Sequence, residues 1–256
     1  MSKSAAAPMR DALFANPLDR LASFSFDEQV VRVFPDMIKR SVPGYSQILG
    51  MTGVIARRYV PEGGRIYDLG ASLGASTLSV LQQLQDVQQL DVIAVDTSAA
   101  MNERCRELLA ENLPERAVDI RCADIRTLDY QPCDLILLNF TLQFLPLEDR
   151  QPLLDRLFAA LRPGGALLLS EKVHFADQRE SQLLYELHHD FKRANGYSDL
   201  EISQKRTALE DVLRTLTPEA QLGQLRQAGF DMTVPWFQYL NFMSFLAIKG
   251  GAGEAA

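Results

Sequence analysis

The sequence runs to 256 residues, 47% of them hydrophobic and 23% charged, with a formal net charge of −7. One domain of that size buries a substantial core and needs no second one. An acidic chain weighs against direct nucleic-acid binding, which usually calls for a basic face. Three scattered cysteines (Cys105, Cys122, Cys133) and three histidines exclude a disulfide framework and leave little from which to build a metal site. With no apolar leader core and no run of about 18 apolar residues, the chain reads as cytoplasmic and without a membrane span.

Residues 1–25 read as a loose N-terminal tail and 250–256 as a disordered end, leaving 26–249 as a single domain. Apolar residues at helical spacing predict helices over Phe26–Arg40 and Ser46–Tyr59, parted by the turn signal Val42-Pro43-Gly44-Tyr45. A short apolar strand, Arg65–Leu69, runs into a glycine-bearing turn and then a helix, Ala75–Leu84. Strand Leu90–Val95 and helix Ala99–Asn112 repeat the pattern, and strands Val118–Arg121, Asp134–Asn139 and Ala166–Ser170 follow. Helix Leu147–Leu161 separates the last two, with Pro163-Gly164-Gly165 as its stop. Between Asp177 and Leu216 lies an insertion of expected helices, long enough for a lid or an interface. Two β-like runs close the domain, Phe230–Phe237 and Asn241–Ile248, with no room for a helix between them.

Strand–helix alternation of this kind gives right-handed crossovers and an open, mostly parallel sheet with helices on both faces. The final pair suits an antiparallel edge. An α/β, Rossmann-like sheet finished in that way resembles the class I methyltransferase fold rather than a nicotinamide-binding domain.

Ligands of such sheets bind in the crevice beyond the strand C-termini. Tyr67-Asp68-Leu69-Gly70-Ala71-Ser72-Leu73-Gly74-Ala75 forms the first such turn, where glycine lets the backbone approach a ligand. Asp68 would be unwelcome beside a pyrophosphate but suits the amino acid end of a cationic zwitterion. Asp96 ends the next strand, a position from which a carboxylate accepts ribose hydroxyls; Asp96-Thr97-Ser98 also reads as a helix N-cap, with Ser98 the better capping residue. Asp124-Ile125 follows the third strand, where a carboxylate can take an adenine amino group, and Asn139 ends the fourth. Each alone is a plain loop polar residue; four on one crevice point to an adenosylmethionine-type ligand.

Longer motifs narrow the reading. Phe34-Pro35-Asp36-Met37-Ile38, Ser41-Val42-Pro43-Gly44-Tyr45, Asn139-Phe140-Thr141-Leu142-Gln143-Phe144, the run from His188 to Ser198 and Glu201-Ile202-Ser203-Gln204-Lys205-Arg206 resemble the carboxy-S-adenosylmethionine synthases, from about Asp11 to Ala247. The resemblance implies conversion of S-adenosylmethionine and prephenate to carboxy-S-adenosylmethionine and phenylpyruvate. It also implies a bound carboxylated product, a homodimer, and delivery of the product to a separate enzyme that makes the oxyacetyl wobble uridine of tRNA. Carried over by match, the ligand-binding positions are Tyr45, Gly70, Ala71, Ser72, Asp96, Thr97, Asp124, Ile125, Asn139 and Arg206. Two depart from the family pattern: Ala71, where a cysteine stands, and Thr97, where an asparagine stands.

That chemistry reverses the usual polarity of a sulfonium methyl, which must lose a proton before it can take up carbon dioxide released from prephenate. It favours caging and water exclusion over a strong base, and it calls for a fixed cation to meet the new carboxylate. Arginine does this with a bidentate fork. By the family match the cation is Arg206; by itself it reads as a surface charge on helix Glu201–Leu213. His188-His189 lacks a third ligand, and adjacent helical residues point about 100° apart, so no metal is expected. Tyr197, Phe191 and Trp236 read as packing residues. Lys192-Arg193 and Lys205-Arg206 are basic pairs that could draw a dianion such as prephenate, although such pairs are usually solvated. A conventional small-molecule methyltransferase and a non-catalytic carrier of an adenosylmethionine derivative remain alternatives.

Overall fold

The structure is a computed structural model and describes residues 9–17, 25–210 and 212–251. Its centre is a seven-stranded sheet. In chain order the strands are β1 (Arg65–Leu69), β2 (Asp91–Asp96), β3 (Asp119–Cys122), β4 (Cys133–Asn139), β5 (Leu161–Lys172), β6 (Met232–Tyr239) and β7 (Phe242–Ile248). They lie in the order β3-β2-β1-β4-β5-β7-β6. The first five are parallel, while β7 runs antiparallel to β5 and β6. This is the expected parallel sheet with an antiparallel edge.

Eight helices accompany it among the described residues: α1 (Glu28–Ser41), α2 (Tyr45–Tyr59), α3 (Ala75–Gln83), α4 (Ala99–Asn112), α5 (Leu147–Ala160), α6 (Gln178–Ala194), α7 (Asp199–Glu210) and α8 (Pro218–Ala228). Strand side chains alternate between faces, so the unbroken apolar run of β4 feeds two separate cores, as a strand covered on both sides must. Ile136 and Leu138 pack with Leu153, Leu154 and Leu157 of α5 and Leu225 of α8. Leu135 and Leu137 pack with Ala56 of α2 and with Val80 and Leu81 of α3. The two layers clamp the sheet and hold its strand ends still.

Several boundaries differ from the sequence expectation. β5 begins at Leu161, not Ala166, because Leu161 pairs with Cys133. Pro163-Gly164-Gly165 therefore lies inside the strand as an irregularity, with Gly164 at φ 81°, and is not the stop of α5. Lys249 helps to end that helix: its Nζ donates to the carbonyls of Phe158 at 2.8 Å and Leu161 at 2.6 Å, which the last turn leaves without partners. Helix α8 was not expected. Its signals are plain in retrospect, with Thr217 capping the Ala220 amide, Pro218 in the first turn and Gly229 at φ 109° after the end.

The N-terminal segment 9–17, expected as loose tail, is docked. Asp11 is 2% exposed. Its amide donates to Asp36, its carbonyl accepts from Arg40, and its carboxylate accepts the Tyr197 hydroxyl. Gln204 of α7 donates to the carbonyls of Phe14 and Asn16. Residues 1–8, 18–24, 211 and 252–256 lie outside the described residues.

Candidate functional site

A cavity of about 1170 Å³ opens at the C-terminal edge of the parallel strands. Tyr45, Gly70, Ala71, Ser72, Asp96, Thr97, Asp124, Ile125, Asn139 and Arg206 all line it. The fold thus gathers all ten positions carried over by match, and the partners of each side chain say what it is free to do.

The turn after β1 is built by backbone geometry. The amides of Gly70 and Ala71 donate to the Val95 carbonyl at 2.8 and 3.0 Å, tying the turn to β2. Gly70 sits at φ 77°, and a Cβ there would overlap the Thr141 side chain. Ser72, which has a side chain, is nonetheless held at φ 48°, and Phe140 across the cavity at φ 58°. Two such residues facing one cavity are strain of the kind that surrounding structure has to impose. Gly70→Ala should therefore destabilise the protein by about 1–2 kcal/mol through backbone strain and the Thr141 clash. Thermal melts should show the loss in ligand-free protein; an unchanged melting temperature would mean that the turn is more pliable than its packing implies.

Asp68 departs from the expectation. It is 2% exposed and points into the core, where it accepts both the amide and the hydroxyl of Thr77 at 3.0 and 2.6 Å. Burial raises its pKa to about 6 against the opposing effect of those hydrogen bonds. It anchors the start of α3 and does not line the cavity, so a direct contact with a ligand's amino acid end is not its role.

Asp96 resolves the choice between cap and free acceptor in a third way. Ser98 caps α4 by accepting from Met101. Asp96 holds the amide of Ser98 at 2.8 Å with one oxygen and that of Ser72 at 2.9 Å with the other. The carboxylate thus pins the β1 and β2 turns to each other. It still lies on the cavity wall, and burial raises its pKa. Asp124 is similarly engaged: Arg126 donates to both its oxygens at 2.6–3.0 Å and bridges on to Asp149. Arg126 holds the Asp124 carboxyl below its usual pKa. The Asn139 amide bridges Ser76 and Ser170, fixing α3 to β4 and β5. Tyr45 opens α2 behind Gly44, whose φ of 72° makes that tight start possible.

The opposite wall comes from the insertion, as α6 and α7. Arg206 is exposed at the cavity edge of its own chain, and its guanidinium donates to the Tyr185 hydroxyl at 3.2 Å. Tyr185 packs against His189 in a tilted arrangement, with ring centroids 4.2 Å apart. His188 is buried and contacts the Ser41 carbonyl through Nε2 at 2.8 Å. Lys192 and Lys205 turn inward, each 6% exposed, whereas Arg193 turns outward to Asp190 and Asp199. The basic pairs are thus split, one member of each against the cavity core. Lys172, at the end of β5, was missed altogether. Its signal was weak, but Tyr185, His188 and Lys192 stand at the i, i+3, i+7 spacing of one helical face. Among the described residues no three His, Cys, Asp or Glu side chains converge as metal ligands, and no helix is long and apolar enough to cross a membrane.

Three comparisons bear on this arrangement. A family described as "Methyltransferase domain" matches residues 66–165, which span β1 to the start of β5. A carboxy-S-adenosyl-L-methionine synthase of Chromohalobacter salexigens is 56% identical over 95% of this chain and 90% of its own. A Yersinia pestis protein of the same name is 51% identical over 99% and 94%. Among solved structures, human N-acetylserotonin methyltransferase in complex with SAM aligns at a TM-score of 0.59. That match covers 87% of this chain and 55% of the human one, at 17% identity, and it speaks to the fold alone.

Proposed function

Because this chain belongs to the carboxy-S-adenosyl-L-methionine synthase family, a group of transferases, we propose that it converts S-adenosylmethionine and prephenate to carboxy-S-adenosylmethionine and phenylpyruvate. The observation that carries the reading is one cavity with two unlike walls. One wall is a glycine turn with acidic strand ends, and the other is a cationic face that includes Arg206. The first wall fits an adenosyl sulfonium: the turn at Gly70 has no room for a side chain, and Asp96 presents an acidic group beside it. An ordinary methyl transfer needs no cation opposite the sulfonium, whereas a new carboxylate does.

The sulfonium makes its own methyl acidic, and the chain's residues do the rest. Gly70, Ala71 and Ser72 approach the ligand through the backbone. Asp96 faces the ribose, and Ile125 and Asp124 flank the base. Arg206 meets the carboxylate as it forms. The methyl loses a proton and gains the ring carboxyl carbon of prephenate; that proton and the ring hydroxyl leave together as water, so the equation balances without an outside oxidant or metal. Capturing carbon dioxide before it escapes requires the walls to close over the bound ligands. The product would supply a separate enzyme of tRNA wobble-uridine oxyacetylation. A homodimer in the cytoplasm is part of the reading carried over from the family.

Isotope tracing tests the reaction. Carbon label in the prephenate ring carboxylate should appear in the carboxylated sulfonium, while labelled bicarbonate should enter poorly, with no added metal or nucleic acid. Efficient entry from bicarbonate would mean an open cage and a different mechanism. Methyl transfer to an acceptor with neither label incorporated would favour a conventional methyltransferase.

A further inference from the structure

The cationic wall holds more charge than its acids can balance. Arg40 pairs with Asp36, and Lys205 lies 3.9 Å from Asp11 and donates to Ser41 at 3.2 Å. Glu201, the other carboxylate near Lys192, is taken up capping α7 through the amide and hydroxyl of Ser198. Among the described residues neither Lys192 nor Lys172 has a carboxylate within ion-pair distance: the Lys192 Nζ lies 5.5 Å from the Tyr197 centroid, with Asp11 and Glu201 acting on it at longer range, and the Lys172 Nζ lies 5.9 Å from the Phe242 centroid. Two lysines in one cavity thus have no carboxylate partner among the described residues. Desolvating an ammonium without a counter-charge is unfavourable. Burial accordingly lowers Lys172 to about 8, and burial with the repulsion of Lys205 and Lys172 lowers Lys192 to about 7. Such an arrangement is costly in the free protein and is relieved by a bound carboxylate.

An aromatic run leads there from the nucleoside end. Tyr45 lies 6.2 Å from Phe140, Phe140 lies 6.1 Å from Phe242, and Phe242 lies 4.9 Å from His188, centroid to centroid. The floor between the two ends of the cavity is therefore apolar and continuous. A ligand held at the lysines can lay a ring on this floor.

We propose that Lys172, Lys192 and Lys205 form the seat of the second substrate, a small ring-bearing dicarboxylate whose ring lies on Phe242. This rests on the synthase reading of the cavity. The lysines hold the carboxylate of the side chain that stays with the product, which leaves the ring carboxylate free to face the sulfonium. Lys205 is fixed in position by Ser41 and Asp11, so the two unpartnered lysines are the ones to change.

Lys172→Met and Lys192→Met keep most of the side-chain length and remove the charge. Arg193→Gln, on the outward side of α6, is the control. Each lysine variant should raise KM for prephenate roughly tenfold or more and leave the Kd for S-adenosylmethionine within about twofold. Lys192→Met should also melt about 2–4 °C higher without ligand, because an unpaired buried charge has gone. Arg193→Gln should leave KM unchanged. Calorimetry with prephenate and S-adenosylhomocysteine present reads binding without turnover. Lysine-dependent binding of prephenate by a wild-type protein that makes no carboxylated product would uphold the seat and sink the reaction. A wild type that turns prephenate over, with both lysine variants within about twofold in KM, would overturn the seat and leave the reaction standing. Failure of the wild type to bind prephenate in calorimetry would overturn it too.

Discussion

Arg206→Ala is expected to weaken binding of carboxy-S-adenosylmethionine by roughly tenfold to a hundredfold, the worth of a charge-assisted contact, and to leave S-adenosylmethionine within about twofold. A fully buried pair would give more, but Arg206 is exposed at the cavity edge, and water competes for it. Among the described residues it is anchored by the Tyr185 hydroxyl at 3.2 Å, so Tyr185→Phe should give the same selectivity at smaller amplitude. Arg206→Lys should recover part of the loss, since an ammonium has charge without the planar fork. Calorimetry with both ligands decides. Equal weakening of the two would mean that Arg206 supports the fold of the wall and not the carboxylate.

Asp96→Ala should damage stability and binding together. Its two oxygens hold the amides of Ser72 and Ser98, and removing them leaves two partly buried donors unpaired. At about 1–3 kcal/mol for each orphaned group, a loss of about 2–6 kcal/mol is expected, or on the order of 4–24 °C in melting temperature. Every adenosyl ligand should weaken alike, because the nucleoside is common to substrate and product. Asp96→Asn should fall between, since one acceptor oxygen remains and the amide nitrogen opposes the second donor. Lower affinity with an unchanged melting temperature would show that the two turns hold without this carboxylate.

The sequence placed the cavity correctly because turn chemistry and strand period are local. Asp96, Asp124 and Asn139 end their strands, and a parallel sheet brings strand ends to one edge whatever the loops do. What each carboxylate does there was less legible. Asp68 is committed to Thr77, nine residues on, a pairing that only the rise of α3 brings about. Asp124 is committed to Arg126, where the spacing alone allows either a bond or two solvated charges. The inward turn of Lys192 against the outward turn of Arg193 depends on how α6 rotates over the cavity, and one helical residue separates burial from solvent. The early start of β5 was hidden by its Pro-Gly-Gly run, a stop signal that the pairing of Leu161 with Cys133 overrides.

The docking of Asp11 sets an order in time. Its carboxylate closes on Tyr197 across 186 residues of chain, so the contact cannot exist until nearly four-fifths of the protein has been made. At about 5–20 residues per second of synthesis, the N-terminal segment waits roughly 10–40 s for its partner. The β1 to β4 half of the sheet can form during that interval, and with it the glycine turn and Asp96. The lysine wall is assembled only when α6 and α7 emerge and the first residues made return to cover them. A nascent chain arrested before residue 197 should therefore leave the segment around Asp11 open to protease while the early strands are already protected. Its release and completion should close that site last.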